Sequence, residues 1–309
     1  MKPRHIAIAV MIAAIWGINF VVIHVGLGAL PPLLFAAVRF VAAAFPAVLF
    51  VRRPAIPWRR MALVGLPLGV GQFGLLFIAM HLGMPAGLAS LILQTQALFT
   101  ALFARGMLGE RLRRAQGLGM IVAFAGIALI GAALGRGGPV LAFALCIGAA
   151  GMWGLANIGM RKAQPPDAFA FMIWVSLIPP LPLFALSLIF EGPRADLHAL
   201  AHISAGGLGA LAYIAYLSTL LGFGLWGWLL RRYDAGEVAM YSLLVPLFGM
   251  SSAALLLGES LTTLDVIAAG LIIGGVALGS LRRRTPSVAP ASSTPPDGPP
   301  AAPALARTR

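Results

Sequence analysis

Trp16 and Asn19 stand three residues apart in a long apolar run, and Trp153 and Asn157 stand four apart in another. Either spacing puts the two side chains on one face of a helix. An indole beside a carboxamide offers a flat apolar surface, N–H donors and one amide acceptor. That set can hold a small polar solute, but it cannot relay protons or attack a carbonyl. Other polar residues are scattered through apolar runs in the same way. The N-terminal half holds Gln72, Gln94, Thr95 and Gln96; the C-terminal half holds Tyr213, Tyr216, Ser218, Thr219, Trp226, Tyr241 and Ser242. Polar side chains inside a membrane are costly and tend to face a cavity. The plainer account is that they bond neighbouring helices. The candidate cavity set is Trp16, Asn19, Gln72, Gln94, Gln96, Trp153, Asn157, Tyr213, Tyr216 and Ser242.

One charge, Arg39, falls inside an apolar run. It either reaches the interface on its long stem or attracts an anionic group of a solute. His24 and His81 fall near run ends, where anchoring or proton sensing are both open. The nine acidic residues all fall at run ends, in loops or in the tail. Coupling to protons or sodium through a buried carboxylate is therefore not expected. A cation exporter that pairs its cargo with such a carboxylate is not expected either. No phosphate-cradling glycine loop with lysine, no Ser–His–Asp set and no metal-ligand cluster occurs, so neither enzyme nor cofactor is expected. Cys146 is the single cysteine and has no intrachain partner.

The elements that position these residues follow from composition. Of 309 residues, 60% are hydrophobic and 10% charged, against roughly 25% charged in soluble domains. The apolar runs do not alternate with polar residues, which excludes a β-barrel and leaves helices. Runs of about 20 residues span a bilayer. Ten are predicted, at 6–25, 33–51, 61–81, 87–107, 115–134, 139–160, 168–190, 206–230, 236–257 and 265–281. The first resembles a signal peptide but lacks a sensible cleavage pattern, and is expected to be a retained helix. The remainder, 282–309, is rich in Pro, Ala and Ser and is expected to be a disordered cytoplasmic tail.

Ten spans put both termini on one side. That side collects Lys2, Arg4, Arg52, Arg53, Arg59, Arg60, Arg105, Arg111, Arg113, Arg114, Arg161, Lys162, Arg231, Arg232 and five arginines after span 10; the other has Arg136 and Arg194. This bias marks the first side as cytoplasmic. It also accounts for the net charge of +13 without nucleic acid.

The chain repeats itself. "AGLASLILQTQALFTALFARGMLGERL" (86–112) falls on "AGEVAMYSLLVPLFGMSSAALLLGESL" (235–261) without a gap, and "WGIN" (16–19) answers "WGLAN" (153–157). Residues 6–134 and 139–281 are thus two copies of a five-span unit. Five is odd, so the second copy enters the membrane inverted. "GERLR" ends span 4 on the arginine-rich side, whereas "GESLT" ends span 9 on the other. Gly109 and Gly258 read as helix C-caps, with Glu110 and Glu259 helping to position the following helix. Pro67 and Pro246 lie within spans and each removes one helical hydrogen bond. "GLPLG" (65–69), "GLIIG" (270–274) and "GVALG" (275–279) are close-packing patterns; those on span 10 serve either the bundle, the plainer account, or a dimer. The fold class expected is an all-α membrane protein of ten transmembrane helices in two inverted repeats. Such halves can rock about a midplane site.

These features together resemble the EamA family of the drug/metabolite transporter superfamily. Specific strings carry the likeness: "WGINFVVIHVGL" (16–27), "VRF" (38–40), "MPAGLASLILQTQALFT" (84–100), "SLIPPLP" (176–182), "RRYDAGEVAMYSLL" (231–244) and "SLLVPLFGMSSAALLLGE" (242–259). It covers about residues 6–281, and the Pro-rich tail departs from it. The resemblance implies an inner-membrane exporter of cysteine-pathway or related amino-acid metabolites, with a central cavity lined from both halves. Its partners would be the small-molecule substrate and the lipid bilayer, as monomer or homodimer. Transport of another neutral metabolite or drug-like compound, or a non-transporting sensor or scaffold, remain the alternatives.

Overall fold

The computed structural model describes residues 1–134 and 139–280. The tail at 282–309 and Arg136 lie outside the described residues. Among the described residues every regular element is helical. Ten helices are long and apolar enough to cross a membrane: Pro3–Leu27, Pro32–Phe50, Trp58–His81, Ala86–Leu108, Arg114–Leu134, Val140–Ala163, Ala168–Phe190, Ala205–Leu230, Glu237–Leu257 and Thr263–Ser280. They are spans 1 to 10 below. A further helix, Pro193–Ala201, joins spans 7 and 8; its composition is too polar for a span.

Small residues set how closely the spans approach, because lipid is as apolar as any leucine and gives no hydrophobic drive between helices. A Cβ at Gly17 of span 1 would stand 2.5 Å from Phe248 Cβ and 2.8 Å from Gly249 N, both in span 9. A Cβ at Gly154 of span 6 would stand 2.8 Å from Phe99 Cβ in span 4. Both glycines directly follow a cavity tryptophan, Trp16 or Trp153. The Trp–Gly pairs thus combine a lining residue with a crossing point. In span 10, Gly275 packs on Gly119 and Ala123 of span 5, while Gly270 and Gly274 meet nothing within 4 Å. Gly65 and Gly69 of span 3 face Ile178 and Pro179 of span 7.

Six spans are not continuous α-helix: spans 2 and 7 are broken by turns, after Ala44 and after Val175, and the other four carry irregularities that match in pairs. Spans 3 and 8 each contain a π-helical stretch, Leu66–Gly74 and Tyr213–Leu221. Spans 4 and 9 each contain a 3-10 turn, Leu93–Thr95 and Met240–Leu244. Causes are visible in the residues. Pro67 lacks an N–H within the span 3 stretch. In span 8 the Thr219 hydroxyl donates to Ile214 O at 2.8 Å, five residues back, and occupies a carbonyl of the wider turn. The 3-10 turns carry hydroxyls bonded three residues back, Thr95 to Ile92 O at 2.6 Å and Ser242 to Ala239 O at 2.7 Å. Such bonds compete with the helical ladder.

Gly109 and Gly258 close spans 4 and 9 in the left-handed conformation, with φ of 70° and 69°. The glutamates that follow do not hold the next helix. Glu259 accepts from the backbone N–H groups of Ala86 and Gly87 at 2.7 and 3.0 Å, capping span 4. Glu110 pairs with Arg161 at the end of span 6. Span 2 is capped in the same manner as span 4, since Glu191 accepts from Leu33 N and Leu34 N at 2.7 and 3.0 Å. A carboxylate near a helix N-terminus meets both free N–H groups and the positive end of the helix dipole.

Candidate functional site

Two backbone carbonyls within the bundle are released by the irregular turns and taken up by side chains from another span. Pro246 has no N–H to give to Ser242 O, four residues back. Gln94 Nε2 of span 4 donates to that carbonyl instead, at 2.9 Å. In span 8 the Gly222 N–H reaches Leu217 O, one residue beyond the α-helical register. Ser218 O accepts from Trp16 Nε1 of span 1 at 3.0 Å. These cross-span bonds frame a central cavity.

The cavity has a volume of about 310 Å³ and draws its lining from spans of both halves. Of the residues singled out by sequence, Trp16, Asn19, Gln72, Gln94, Gln96, Trp153, Asn157 and Ser242 line it, as do Arg39, Ser218, Thr219 and Trp226. Asn157 Nδ2 donates to Gln96 Oε1 at 2.7 Å and to Thr100 Oγ1 at 3.0 Å, so its amide is tied to span 4. Asn19 Oδ1 and Gln72 Oε1 are buried without a hydrogen-bond partner. Trp16 lies against Phe223 and Trp226, each with ring centroids 5.2 Å away, which makes one wall aromatic.

Tyr213 and Tyr216 do not belong to this lining. The Tyr213 hydroxyl donates to Ile15 O at 2.9 Å and ties span 8 to span 1. Tyr216 is 42% exposed on the outside of the bundle. In a regular helix Tyr216 would share a face with Thr219; the π-helical stretch rotates it away. Thr95 is fully buried and spent on its own turn. Tyr241 does not line the cavity and packs against the buried cluster of Ala9, Ile12, Leu229 and Val238. His24 and His81 are exposed at span ends. Phe73, Met160 and Met172 line the cavity and Phe40 packs on Arg39, yet all four looked like ordinary apolar residues in sequence; only the adjacency of Phe40 to Arg39 gave a signal.

Arg39 does not reach the interface. Its side chain is 2% exposed and lines the cavity. Its Cζ lies 4.2 Å from the Phe40 ring and 3.8 Å from the Phe73 ring, and Nη2 donates to Thr219 Oγ1 at 3.4 Å. Among the described residues it has no carboxylate within ion-pair distance: the pairs are Met1 with Glu237 and Arg161 with Glu110. Nor do the described residues hold a His, Cys, Asp or Glu group suited to a metal ion.

A bundle of ten membrane-length helices around a mainly apolar central cavity, whose wall carries amide, hydroxyl, indole and guanidinium groups but no acid among the described residues, defines a multi-pass membrane protein of the solute-transporter class. The chain belongs to the EamA-like transporter family, whose model matches it twice, over residues 4–132 and 137–281. It is similar to a protein of Escherichia coli (strain K12) named as a probable amino-acid metabolite efflux pump, 43% identical over 282 residues that cover 89% of this chain and 94% of that one. The protein of the same name in Salmonella typhimurium is 43% identical over 275 residues, 87% and 92% of the two chains. A solved crystal structure aligns with a TM-score of 0.60 over 88% of this chain and 94% of its own; at 23% identity that likeness concerns the fold alone.

Proposed function

We propose that this transporter exports small amino-acid metabolites, of the O-acetylserine and cysteine kind, across a bacterial inner membrane. The observation that carries the reading is the chemistry of the cavity wall. Against a mainly apolar background it offers amides, hydroxyls, indoles and, among the described residues, one guanidinium and no carboxylate. Such a wall suits small zwitterionic or neutral solutes and gives an organic cation nothing to pair with. The two matches to one family model and the paired irregular turns support two repeats of opposite orientation, which would expose the cavity alternately to each side. The arginine bias supports cytoplasmic termini.

Efflux of labelled cysteine and O-acetylserine from proteoliposomes holding the full chain tests this. Saturable flux of either supports the reading, and no flux of either sinks the substrate class. The aromatic wall of Trp16, Phe223 and Trp226 favours a second reading, export or import of a neutral drug-like compound. Resistance of overexpressing cells to a panel of such compounds, without amino-acid flux, would select it.

A further inference from the structure

Three buried side-chain atoms lack a hydrogen-bond partner among the described residues: Arg39 Nε, Asn19 Oδ1 and Gln72 Oε1. They come from spans 2, 1 and 3, and all three side chains line the one central cavity. Nearly all buried polar groups in native proteins are paired, and exceptions need a cause. Here the exceptions are one cationic donor and two neutral acceptors, gathered at one place.

Their chemistry specifies a complement. The donor belongs to a guanidinium, whose planar fork suits a carboxylate. Phe40 and Phe73 pack against it and fix its position without satisfying its N–H groups. Among the described residues its one hydrogen bond, to Thr219 Oγ1, is long at 3.4 Å. An arginine serving only the packing of span 2 would have its donors on carbonyls or an acid. The two amide oxygens need N–H donors, which an ammonium supplies. The indoles of Trp16 and Trp153 line the same space, and indole rings attract an ammonium.

We propose that Arg39 takes the carboxylate of a zwitterionic α-amino-acid substrate while the amide oxygens of Asn19 and Gln72 take its ammonium. This rests on the reading of the cavity as the transport site, and sharpens it: both charged groups of the solute are read. Amines without the carboxylate, acids without the ammonium, and neutral drug-like compounds are then poor cargo. A buried charge left unpaired is the most costly outcome of a mismatch.

The test is counterflow of labelled L-cysteine, kept reduced, in proteoliposomes of the full-length protein. Competitors are unlabelled cysteine, cysteamine (no carboxylate) and 3-mercaptopropionate (no ammonium). Wild type should prefer cysteine over either analogue by at least about tenfold. In Arg39→Met the preference over cysteamine should collapse to about twofold or less while that over 3-mercaptopropionate persists; Asn19→Ala should show the reverse. Arg39→Lys, which keeps the charge and loses the fork, should fall between. A merely structural arginine would lower flux without this crossed pattern. Cysteamine competing as well as cysteine in wild type overturns the proposal whether or not any variant folds. Unchanged discrimination in a folded Arg39→Met overturns the role of Arg39 but leaves the substrate reading standing. Wild type that carries neither cysteine nor O-acetylserine overturns both.

Discussion

Glu259 holds the first turn of span 4 from 173 residues away, its carboxylate 2.7 Å from the N–H of Ala86. With the second bond, to Gly87 at 3.0 Å, it ties the end of span 9 to the start of its counterpart in the other half. Glu110, the matching residue, instead makes an ion pair with Arg161 in which both side chains are about half exposed. The two glutamates thus each follow a left-handed glycine, Gly109 or Gly258, in unequal surroundings.

That inequality predicts unequal costs. Glu259→Ala leaves two helix N–H groups without their acceptor and should destabilise the folded protein by about 1–2 kcal/mol. Glu110→Ala removes a solvent-screened pair and should cost at most about 1 kcal/mol. Thermal unfolding of the purified variants in one detergent compares them, and equal losses would refute the asymmetry.

The close crossings give a second contrast. Gly17→Ala and Gly154→Ala push a methyl group into Phe248 or Phe99 and the adjacent backbone, and overpacking of this kind costs about 1–3 kcal/mol. Gly106, in the helix Gln96–Leu108, meets nothing within 4 Å. Gly106→Ala should be neutral or stabilising by up to about 1 kcal/mol through helix propensity. The three melting temperatures should therefore split in sign or size; three equal shifts would contradict the packing described.

Asn157 and Gln96 should behave as a pair. Their bond, shared with Thr100, joins spans 6 and 4 within the membrane, where such contacts contribute about 0.6 kcal/mol on average. A double-mutant cycle with Asn157→Ala and Gln96→Ala should give a coupling of about 0.5–1.5 kcal/mol in unfolding. Strict additivity would show that the contact carries no energy.

Pro246 keeps the Ser242 carbonyl available to Gln94 Nε2. Pro246→Ala supplies an N–H four residues on, which competes for that carbonyl and straightens span 9. Counterflow should slow by roughly threefold or more, about the worth of one hydrogen bond, with stability unchanged or raised. Undiminished flux would show that the released carbonyl does not matter to transport.

The ten spans were legible in the sequence because bilayer thickness fixes their length and arginine bias fixes their parity; predicted and observed ends differ by at most three residues, as at 160 against Ala163. The lining was legible where polarity alone marks an inward face, as for Asn19, Gln72 and Asn157. Tyr216 shows the limit of that rule, since a π-helical stretch breaks the period on which face assignment depends. Glu259 shows another: nothing local told that its carboxylate would cap span 4 rather than serve span 10. The depth of Arg39 was also hidden, because a stem long enough to reach the interface is equally able to turn inward.

The most direct measurement is efflux of labelled cysteine and O-acetylserine from proteoliposomes, comparing wild type with a folded variant carrying Asn19→Ala and Asn157→Ala. The two asparagines come from opposite halves and line one cavity. The account predicts saturable wild-type flux that falls at least about tenfold in the double variant, the combined loss of two buried polar contacts. Flux of equal rate in the folded double variant would contradict a transport path through this cavity.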